Sequence, residues 1–572
     1  MTTPAAIVPN KNAIAARIGW TVLICATLYV CYFSHLGAIG FVGPDEPRYA
    51  WIARDMAESG DWITPRLYGK PWFEKPPLYY WGAAISFKLL GVSEVAARLP
   101  SAISALLATL AMAWLAWRLY GAETARWLLL LLPTTVAMIS FSHAAATDMP
   151  YSAMLTISMV CAAVLLPLEC GGSPSLSQNE AYATKPTEAP ATAPASSSFI
   201  SFTSSTSFTS LLFGFFLGLA LLAKGPAAIV LCGGAVFFWA LFTKHWRDAL
   251  RLFHPAAIAA FSLTALPWYI LCARRNPDFF RVFIIEHNFK RYLTSEFQHI
   301  QPFWFYIPVL SIALLPWTLG SLTLAKDVAR TWRESGWRNS PELFLSCWAI
   351  VPVIFFSISK SKLPGYVLPT ISPLGLLVAW AVSVRTHKNL SAGRWIGITT
   401  GMTLIVLGIL AFAGIEWVSF GWVPSVLAAG GFAVLVMSVQ PRLASALLVG
   451  VVAVIATVAL AFAGSTGRLL DQRLSARPSL RAAAMLWKDF SPERSSTYKL
   501  RRSFQLSLNF YFHRELPDWA PDSRHGWVFT SGSETYDLRK RGLSCPVVFK
   551  YAVIVCEDPG LTVGPSGSGQ SQ

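Results

Sequence analysis

Acidic side chains stand at two places where polar motifs interrupt long apolar stretches of this 572-residue chain. Asp45 and Glu46 open the motif DEPRYA, and Asp148 lies in TDMP at 147–150. A carboxylate beside an apolar segment is costly to desolvate, so its presence there indicates a function such as acid–base catalysis. Helix capping is the alternative interpretation, because Asp45 suits an N-cap position and Pro47 suits a first helical turn.

Basic residues accompany these acids. Arg48 and Arg54 follow Asp45 closely, and Lys75 lies beside Glu74 in the aromatic and proline-rich segment GKPWFEKPPLYYW. Lysine and arginine are the natural partners of phosphate groups. The later motifs LAKGP, EHNFKRY and SKSKLPGYVLP add further basic side chains, namely Lys224, Arg291, Lys360 and Lys362.

Other chemistry has weaker support in the sequence. Glu74 and His287 are candidates to share a divalent cation, although two ligands from separate loops specify no metal. Neither a GxxxxGK[ST] phosphate loop nor a CxxC, HExxH or GxSxG motif occurs. His143, near the second acidic motif, is typical of a hydrogen-bonded interfacial histidine rather than of a metal ligand. No cofactor is therefore required by the sequence, and a divalent cation remains an open option.

Composition places most of the chain in a lipid bilayer. Hydrophobic residues make up 54% and charged residues 13% of the chain, with a mean hydropathy of +0.48, whereas soluble domains carry about 25% charged residues. Apolar stretches too long for a soluble core recur between residues 19 and 464. The net charge of +16 does not indicate a nucleic-acid partner, because the basic residues are scattered between apolar segments. The sequence predicts a polytopic α-helical membrane protein.

The predicted membrane topology has about thirteen spanning helices. The run 78–90 has only 13 residues and is interpreted as an interfacial helix, because a span needs about 20 residues. With this count every second loop is basic, as the positive-inside rule requires. The predicted spans are 19–42, 97–117, 127–146, 149–167, 208–222, 226–243, 255–273, 303–325, 342–359, 364–384, 395–414, 422–439 and 443–464.

This topology brings the polar motifs to one face. The outer side receives the loop 43–96, the turn at Asp148, the loop 274–302, the turn 360–363 and everything after 464. Basic residues on that side depart from the positive-inside rule, and phosphate binding would explain the departure.

Two segments differ in composition from the spanning domain 1–464. Residues 168–207 are rich in Ser, Thr, Pro and Ala and are predicted to form a disordered cytoplasmic linker. Residues 465–572 have a soluble composition and are predicted to form a small α/β domain on the outer face. In that domain Cys545 and Cys556 are equally consistent with a disulfide and with two free thiols.

Five motifs in order carry a family resemblance: DEPRYA at 45–50, FEKPPLYYW at 73–81, TDMP at 147–150, EHNFKR at 286–291 and KLPGYVLP at 362–369. Their order and placement resemble the C-type, polyprenyl-phosphate-dependent glycosyltransferases of the protein mannosyltransferase group. Within that group the chain most closely resembles the bacterial 4-amino-4-deoxy-L-arabinose lipid A transferases.

The resemblance implies an enzyme of the bacterial inner membrane with its active site and C-terminal domain in the periplasm. It would move aminoarabinose from undecaprenyl phosphate to a lipid A phosphate, a lipopolysaccharide modification linked to polymyxin resistance. The predicted catalytic residues are Asp45 as the first-loop acid, Asp148 as the second-loop acid, and Glu46 beside Asp45. By the same argument Arg48, Lys75, Arg291 and Lys362 would hold phosphates, and Tyr366 would line the cavity of the lipid carrier; Arg54 and Lys360 are further phosphate candidates from their position.

The expected mechanism is a single inverting displacement at the anomeric carbon. Asp45 has two candidate roles: a hydroxyl acceptor would need it as a general base, whereas a phosphate acceptor is already an anion, and the carboxylate would then position the sugar. One alternative function is transfer to protein hydroxyls or to another envelope glycan. Another is a flippase for a lipid-linked anion, which should carry ionisable residues near the bilayer midplane rather than at one face. A structural membrane protein would leave the one-sided charge cluster unexplained.

Overall fold

The structure is a computed structural model in which the spanning segments are helices. It describes residues 11–168, 197–290, 300–319, 340–388, 392–413, 423–439, 443–462, 464–488, 490–521, 526–545 and 551–559, with isolated residues between 330 and 338. Within these ranges eight helices are long and apolar enough to cross a membrane, and a bent helix pair raises the number to nine. The polytopic α-helical architecture predicted from the sequence is confirmed.

The helices follow the predicted spans closely at most positions. The helix Leu78–Leu90 coincides with the run predicted to be interfacial. The remaining helices of the first half are Lys11–Tyr32, Asp45–Ser59, Glu94–Tyr120, Ala122–Leu131, Val136–Ser142, Asp148–Leu165, Ser197–Lys224, Ala227–Thr243, Trp246–Ala249, Pro255–Arg275 and a π-helical segment, Arg281–Lys290. Those of the second half are Tyr306–Ala313, Pro341–Ile358, Leu368–Lys388, Ala392–Ala413, Val423–Val439, Leu443–Phe462, Gly464–Leu474, Arg477–Leu486, Arg502–Phe512 and Thr535–Lys540.

One predicted span, 127–146, is not a single straight helix. It comprises the helices Ala122–Leu131 and Val136–Ser142, which meet at an angle of 63°. Pro133 lies in the break, where it has no N–H for a helical hydrogen bond. The second helix restarts at Thr135, whose hydroxyl accepts a hydrogen bond from the N–H of Met138. Hydropathy cannot detect this break, because the residues around it are as apolar as a continuous helix.

Three other predicted boundaries also differ. The predicted span 19–42 extends ten residues past the end of the helix Lys11–Tyr32. The helix Ser197–Lys224 begins ten residues before the predicted end of the linker 168–207, of which residues 169–196 lie outside the described ranges. In the predicted span 303–325 the α-helix covers only Tyr306–Ala313, and residues 320–325 are again outside the description.

Small residues allow the spanning helices to approach closely. A methyl group added at Gly214 would meet the carbonyl oxygen of Ala257 at 2.0 Å, so the helices Ser197–Lys224 and Pro255–Arg275 touch through their backbones. Such contacts matter in a membrane, where helix association depends on van der Waals packing rather than on the hydrophobic effect. The first of these helices ends at Lys224, at the face where the polar motifs meet.

The C-terminal segment contains a three-stranded sheet and short helices. The strand Ser495–Tyr498 runs parallel to the central strand Gly526–Thr530, which pairs antiparallel with Ile554–Asp558. Trp527 and Phe529 on the central strand are fully buried in a small apolar core. Cys545 and Cys556 form a disulfide, which decides between the two alternatives left open by the sequence.

Buried ion pairs attach this segment to the helix bundle. The Arg477 guanidinium pairs with Asp471 at 2.7 Å and with Glu94, the first residue of the helix Glu94–Tyr120, at 3.0 Å. It also donates to the backbone carbonyls of Gly37 and Ala38, which follow the first spanning helix. The segment is therefore fixed to the same end of the bundle as the first-loop motif.

Candidate active site

Asp45 is the first residue of the helix Asp45–Ser59. Pro44 occupies the N-cap position, and no side chain caps the helix start. The carboxylate of Asp45 instead accepts a hydrogen bond from Arg48 Nη2 at 2.5 Å, one helical turn later. About half of the Asp45 side chain stays accessible (51%), whereas that of Arg48 is 9% exposed. The capping interpretation of Asp45 is therefore wrong, and its carboxylate faces an open space beside a buried cation.

Arg48 joins the two halves of the first loop. Its Nη2 lies 3.1 Å from Glu74 Oε2, and Lys75 Nζ lies 3.9 Å from the other oxygen of Glu74. The guanidinium also stacks over the ring of Trp72, 5.4 Å from its centre. Among the described residues, no acceptor lies within hydrogen-bond distance of the buried Arg48 Nε or Trp72 Nε1. Both donors are thus buried without a protein acceptor in the described part of the chain.

The pKa of the Asp45 carboxyl depends on charged groups from both acidic motifs. Burial by the surrounding protein raises the pKa of the Asp45 carboxyl, Arg48 lowers it, and the negative charges of Glu74 and Asp148 raise it further. The acid of the second motif is therefore among the charged groups that act on the Asp45 carboxyl.

Asp148 belongs to a second charge cluster. It begins the helix Asp148–Leu165 without capping it, and its carboxylate accepts a short hydrogen bond from Lys224 Nζ. The Lys224 ammonium also lies 4.7 Å from the centre of the Tyr366 ring. The turn Pro364–Val367 packs tightly here: a methyl group added at Gly365 would lie 2.6 Å from Asp148 Oδ1. This turn places Tyr366 beside Asp148, a neighbour that the sequence did not predict for it.

Glu46 faces away from this space and is held by protein groups. Its carboxylate accepts hydrogen bonds from Arg98 at 2.8 and 3.0 Å, from the Ala145 N–H at 2.7 Å and from the Val42 N–H at 2.8 Å. Both Glu46 and Arg98 are buried. Glu46 thus ties the loop before Asp45 to the loop before Asp148, a geometry that supports a positioning role rather than contact with substrate.

A cavity of about 470 Å³ opens beside Glu74. Trp72, Glu74 and His287 line it, together with Arg275 and Arg281 from the other side. The structure therefore brings the candidate metal pair, Glu74 and His287, to one cavity. Among the described residues no group of three or more His, Cys, Asp or Glu side chains could hold a metal ion.

Other predicted phosphate ligands are placed differently. Arg54 points to the C-terminal segment, pairing with Glu58 at 2.7 Å and reaching the Phe510 carbonyl at 3.4 Å. The Lys362 amino group donates to the carbonyls of Ser359 and Gln301; its burial and the charge of Lys360 lower its pKa. Lys360 is exposed, and Arg291 lies outside the described residues.

Sequence reasoning missed two members of these clusters. Lys224 was one of several outer basic residues, but its pairing with Asp148 spans 76 positions and has no local signal. Arg98 lies within an apolar helix start, where the sequence shows only a charge in an alanine-rich run. A buried arginine requires an acid, and its partner is Glu46, which the sequence analysis predicted to be catalytic.

The fold and site define a helical membrane protein with the architecture of a C-type glycosyltransferase, whose acids and bases gather at one end of the bundle. The structure superposes on crystal structures of ArnT from Cupriavidus metallidurans. For the apo state the TM-score is 0.71 at 23% identity, covering 95% of this chain and 99% of the other. For the form bound to undecaprenyl phosphate it is 0.69 at 24%, covering 94% and 98%.

Sequence comparison finds the same group of proteins as the structural comparison. The dolichyl-phosphate-mannose-protein mannosyltransferase family matches residues 18–172 and 195–283. The undecaprenyl phosphate-alpha-4-amino-4-deoxy-L-arabinose arabinosyl transferase of Yersinia enterocolitica is 32% identical over 390 residues, 68% of this chain and 63% of that protein. One from Pseudomonas fluorescens is 29% identical over 398 residues, 69% and 65%. The chain thus spans slightly less than two thirds of the length of these relatives.

The resemblance predicted from the five motifs is confirmed. The chain is related to the polyprenyl-phosphate-dependent glycosyltransferases, and the proteins it matches include aminoarabinosyl transferases.

Proposed function

We propose that this chain transfers 4-amino-4-deoxy-L-arabinose from undecaprenyl phosphate to a phosphate group of lipid A, with inversion at the anomeric carbon. One observation carries the proposal: Asp45 and Asp148 are each paired with a cation, and the hydrogen bond from the Ala145 N–H to Glu46 holds their two motifs together. Relatives named for undecaprenyl phosphate and aminoarabinose identify the donor that such a site would take.

The cations of the first loop would bind the donor phosphate. Arg48 Nε and Trp72 Nε1 have no acceptor among the described residues, and Lys75 lies in the same charged group as Glu74. In the displacement an acceptor oxygen bonds to the anomeric carbon while the bond from that carbon to the phosphate oxygen breaks. The electron pair leaves with undecaprenyl phosphate, whose added negative charge Arg48 and Lys75 stabilise.

Asp45 would act on the sugar. A lipid A phosphate is already an anion at neutral pH and needs orientation more than deprotonation. The half-exposed carboxylate of Asp45 suits the cationic amine of aminoarabinose, with which it would form a charge-assisted hydrogen bond. Asp148, held by Lys224, would set the opposite wall of the same space, and Tyr366 would contact the lipid carrier.

The proposal includes a finer membrane topology. We infer thirteen spans, an active site and a C-terminal α/β domain on the periplasmic side, and residence in the bacterial inner membrane. Basic loops alternating along the sequence support this orientation.

A divalent cation stays an optional cofactor. Glu74 and His287 line one cavity, but Glu74 already contacts Arg48 and Lys75, so no step is assigned to a metal.

Mass spectrometry of lipid A tests the proposal. The gene is expressed in bacteria that make the lipid-linked aminoarabinose donor but lack their own transferase, and the donor is quantified in each culture. Wild-type protein should add one aminopentose increment to lipid A, and Asp45→Ala should abolish it. Glu58→Gln, on the same helix but away from the site, should retain it at equal expression.

Unmodified lipid A in cells shown to contain donor and folded wild-type protein would contradict the lipid A acceptor. The same cultures would then be examined for sugar on proteins and on other envelope glycans. Normal modification by Asp45→Ala would instead contradict the assignment of the site.

A further inference from the structure

The helix Arg477–Leu486 lies where the spanning helices end. It follows the helix Gly464–Leu474, which comes directly after the last spanning helix, Leu443–Phe462. Arg477 binds the carbonyls of Gly37 and Ala38, just beyond the first spanning helix. It also pairs with Glu94, where another spanning helix begins. Because all three connections are to span ends, the helix Arg477–Leu486 lies at the depth of the lipid headgroups.

This helix has two chemically different faces. Ser479 and Ala483 are buried, and Leu480 packs against the apolar core of the C-terminal segment. Arg481 and Met485, four residues apart, share the opposite side, and the exposed Lys488 follows just after the helix end. Met485 is 84% exposed and its neighbour Leu486 is 70% exposed, whereas side chains of this type are usually buried.

The charge around this face is positive. Residues 467–490 contain five basic and two acidic residues. One of each, Arg477 and Asp471, forms the buried ion pair that attaches the segment. The exposed side chains Arg468, Arg481 and Lys488 therefore leave a net positive surface next to the two exposed apolar side chains.

We propose that Arg481, Met485, Leu486 and Lys488 form a membrane-docking surface for anionic phospholipids. Met485 and Leu486 would insert below the headgroups, and Arg481 and Lys488 would bind lipid phosphates. Exposed apolar side chains flanked by basic residues are typical of interfacial helices. Docking would hold the C-terminal segment against the leaflet at the mouth of the site, and it does not depend on the transfer reaction proposed above.

Photo-crosslinking in nanodiscs tests the docking surface. A benzophenone amino acid replaces Met485 in the full-length protein, which is reconstituted in phosphatidylcholine containing phosphatidylglycerol. Irradiation should give protein–lipid adducts detectable by intact-mass and peptide mass spectrometry. Tyr536, 67% exposed on the helix Thr535–Lys540, is the matched control position and should give few adducts. Equal yields at the two positions, or none at 485, would overturn the proposal.

The lipid specificity gives a second readout. Phosphatidylglycerol should be enriched among the adducts at position 485, by about fivefold for each basic residue at low salt. The double substitution Arg481→Gln with Lys488→Gln should remove the enrichment, whereas Lys540→Gln should not. A further nanodisc contains lipid A in place of phosphatidylglycerol. Enrichment of lipid A alone would assign the surface to another phosphate lipid and overturn the phospholipid proposal.

Discussion

The ammonium of Lys224 donates a hydrogen bond to the carboxylate of Asp148 and lies over the ring of Tyr366. The pair joins the end of one spanning helix to the start of another, and the Lys224 side chain is only 9% exposed. A cation placed in this way orients the carboxylate through a charge-assisted hydrogen bond. The relationship makes Lys224 a positioning residue for Asp148.

We expect Lys224→Gln to lower kcat by about 10- to 100-fold, because a hydrogen bond to a charged group contributes about 1.5–3 kcal/mol. Lys224→Arg should retain more activity, since it keeps the charge. Turnover of lipid-linked donor by purified protein in detergent measures the effect. Lys499→Gln, at a lysine that is 59% exposed in the C-terminal segment, serves as the control. Wild-type kcat in Lys224→Gln would refute the positioning role.

The raised pKa of Asp45 predicts that kcat/KM depends on pH. Burial raises the pKa of its carboxyl group, and the reaction needs the carboxylate, so kcat/KM should fall as the pH falls through this raised pKa. Asp45→Asn should lower kcat by about 10- to 100-fold, because it removes the charge-assisted hydrogen bond to the sugar amine. It should also flatten the fall in kcat/KM at low pH, the acidic limb of the profile. A pH series with a fixed concentration of donor measures both quantities.

Glu58→Gln lies on the same helix, and it should keep the acidic limb unchanged. An unaltered limb in the residual activity of Asp45→Asn would mean that another group titrates. Near-full turnover by Asp45→Asn would exclude any essential role of the carboxylate.

The sequence predicted the parts of the site that are local. Asp45 and Arg48 are three residues apart on a helix, so their pairing follows from helical geometry. The contact of Arg48 with Glu74 depends on how the loop returns, and the contact of Asp148 with Lys224 depends on helix packing. Neither of these two contacts leaves a periodic pattern in the sequence that would predict it. The capping preference of Asp45 is a local tendency, and the nearby guanidinium outweighs it.

The spanning helices also show that sequence patterns predict local features better than features that depend on packing. Hydropathy correctly predicted a helical membrane protein, because burial in lipid requires apolar composition whatever the packing. It did not predict the break near Pro133, where composition stays apolar while the backbone loses a hydrogen bond. Arg98 was overlooked for a related reason: a charge in an apolar helix has meaning only once its buried partner, Glu46, is known.

Substitutions at Glu46 and at Asp45 should have different effects on protein stability, although the two residues are adjacent. Glu46→Gln leaves the buried Arg98 without its acid, and removing one partner of a buried ion pair costs about 3–5 kcal/mol. We expect a lower free energy of unfolding for Glu46→Gln and an unchanged one for Asp45→Asn. Thermal unfolding in detergent compares the two variants at equal protein concentration.

A double-mutant cycle with Arg98→Met separates pairing from general damage. The double variant should be more stable than the sum of the single effects predicts, because neither charge is then left unpaired. Additive losses, or full stability of Glu46→Gln with loss of activity alone, would assign Glu46 to the reaction instead.

Gly365 limits the distance between the turn Pro364–Val367 and Asp148. A methyl group at this position would lie 2.6 Å from Asp148 Oδ1 and 2.9 Å from its Cγ, so either the turn or the carboxylate must move. Overpacking of this kind costs about 1–3 kcal/mol. Gly365→Ala should therefore reduce kcat by about tenfold or more, as the carboxylate leaves its hydrogen bond with Lys224.

Gly233 provides the matched control, because no heavy atom lies within 4 Å of a methyl group added there. Gly233→Ala should preserve both kcat and thermal stability. If Gly365→Ala lowers kcat while Gly233→Ala does not, and if combining Gly365→Ala with Lys224→Gln adds little further loss, the two residues act through the same carboxylate. Independent, additive losses would mean that the turn acts elsewhere, for example on Tyr366 and the contact proposed between Tyr366 and the lipid carrier.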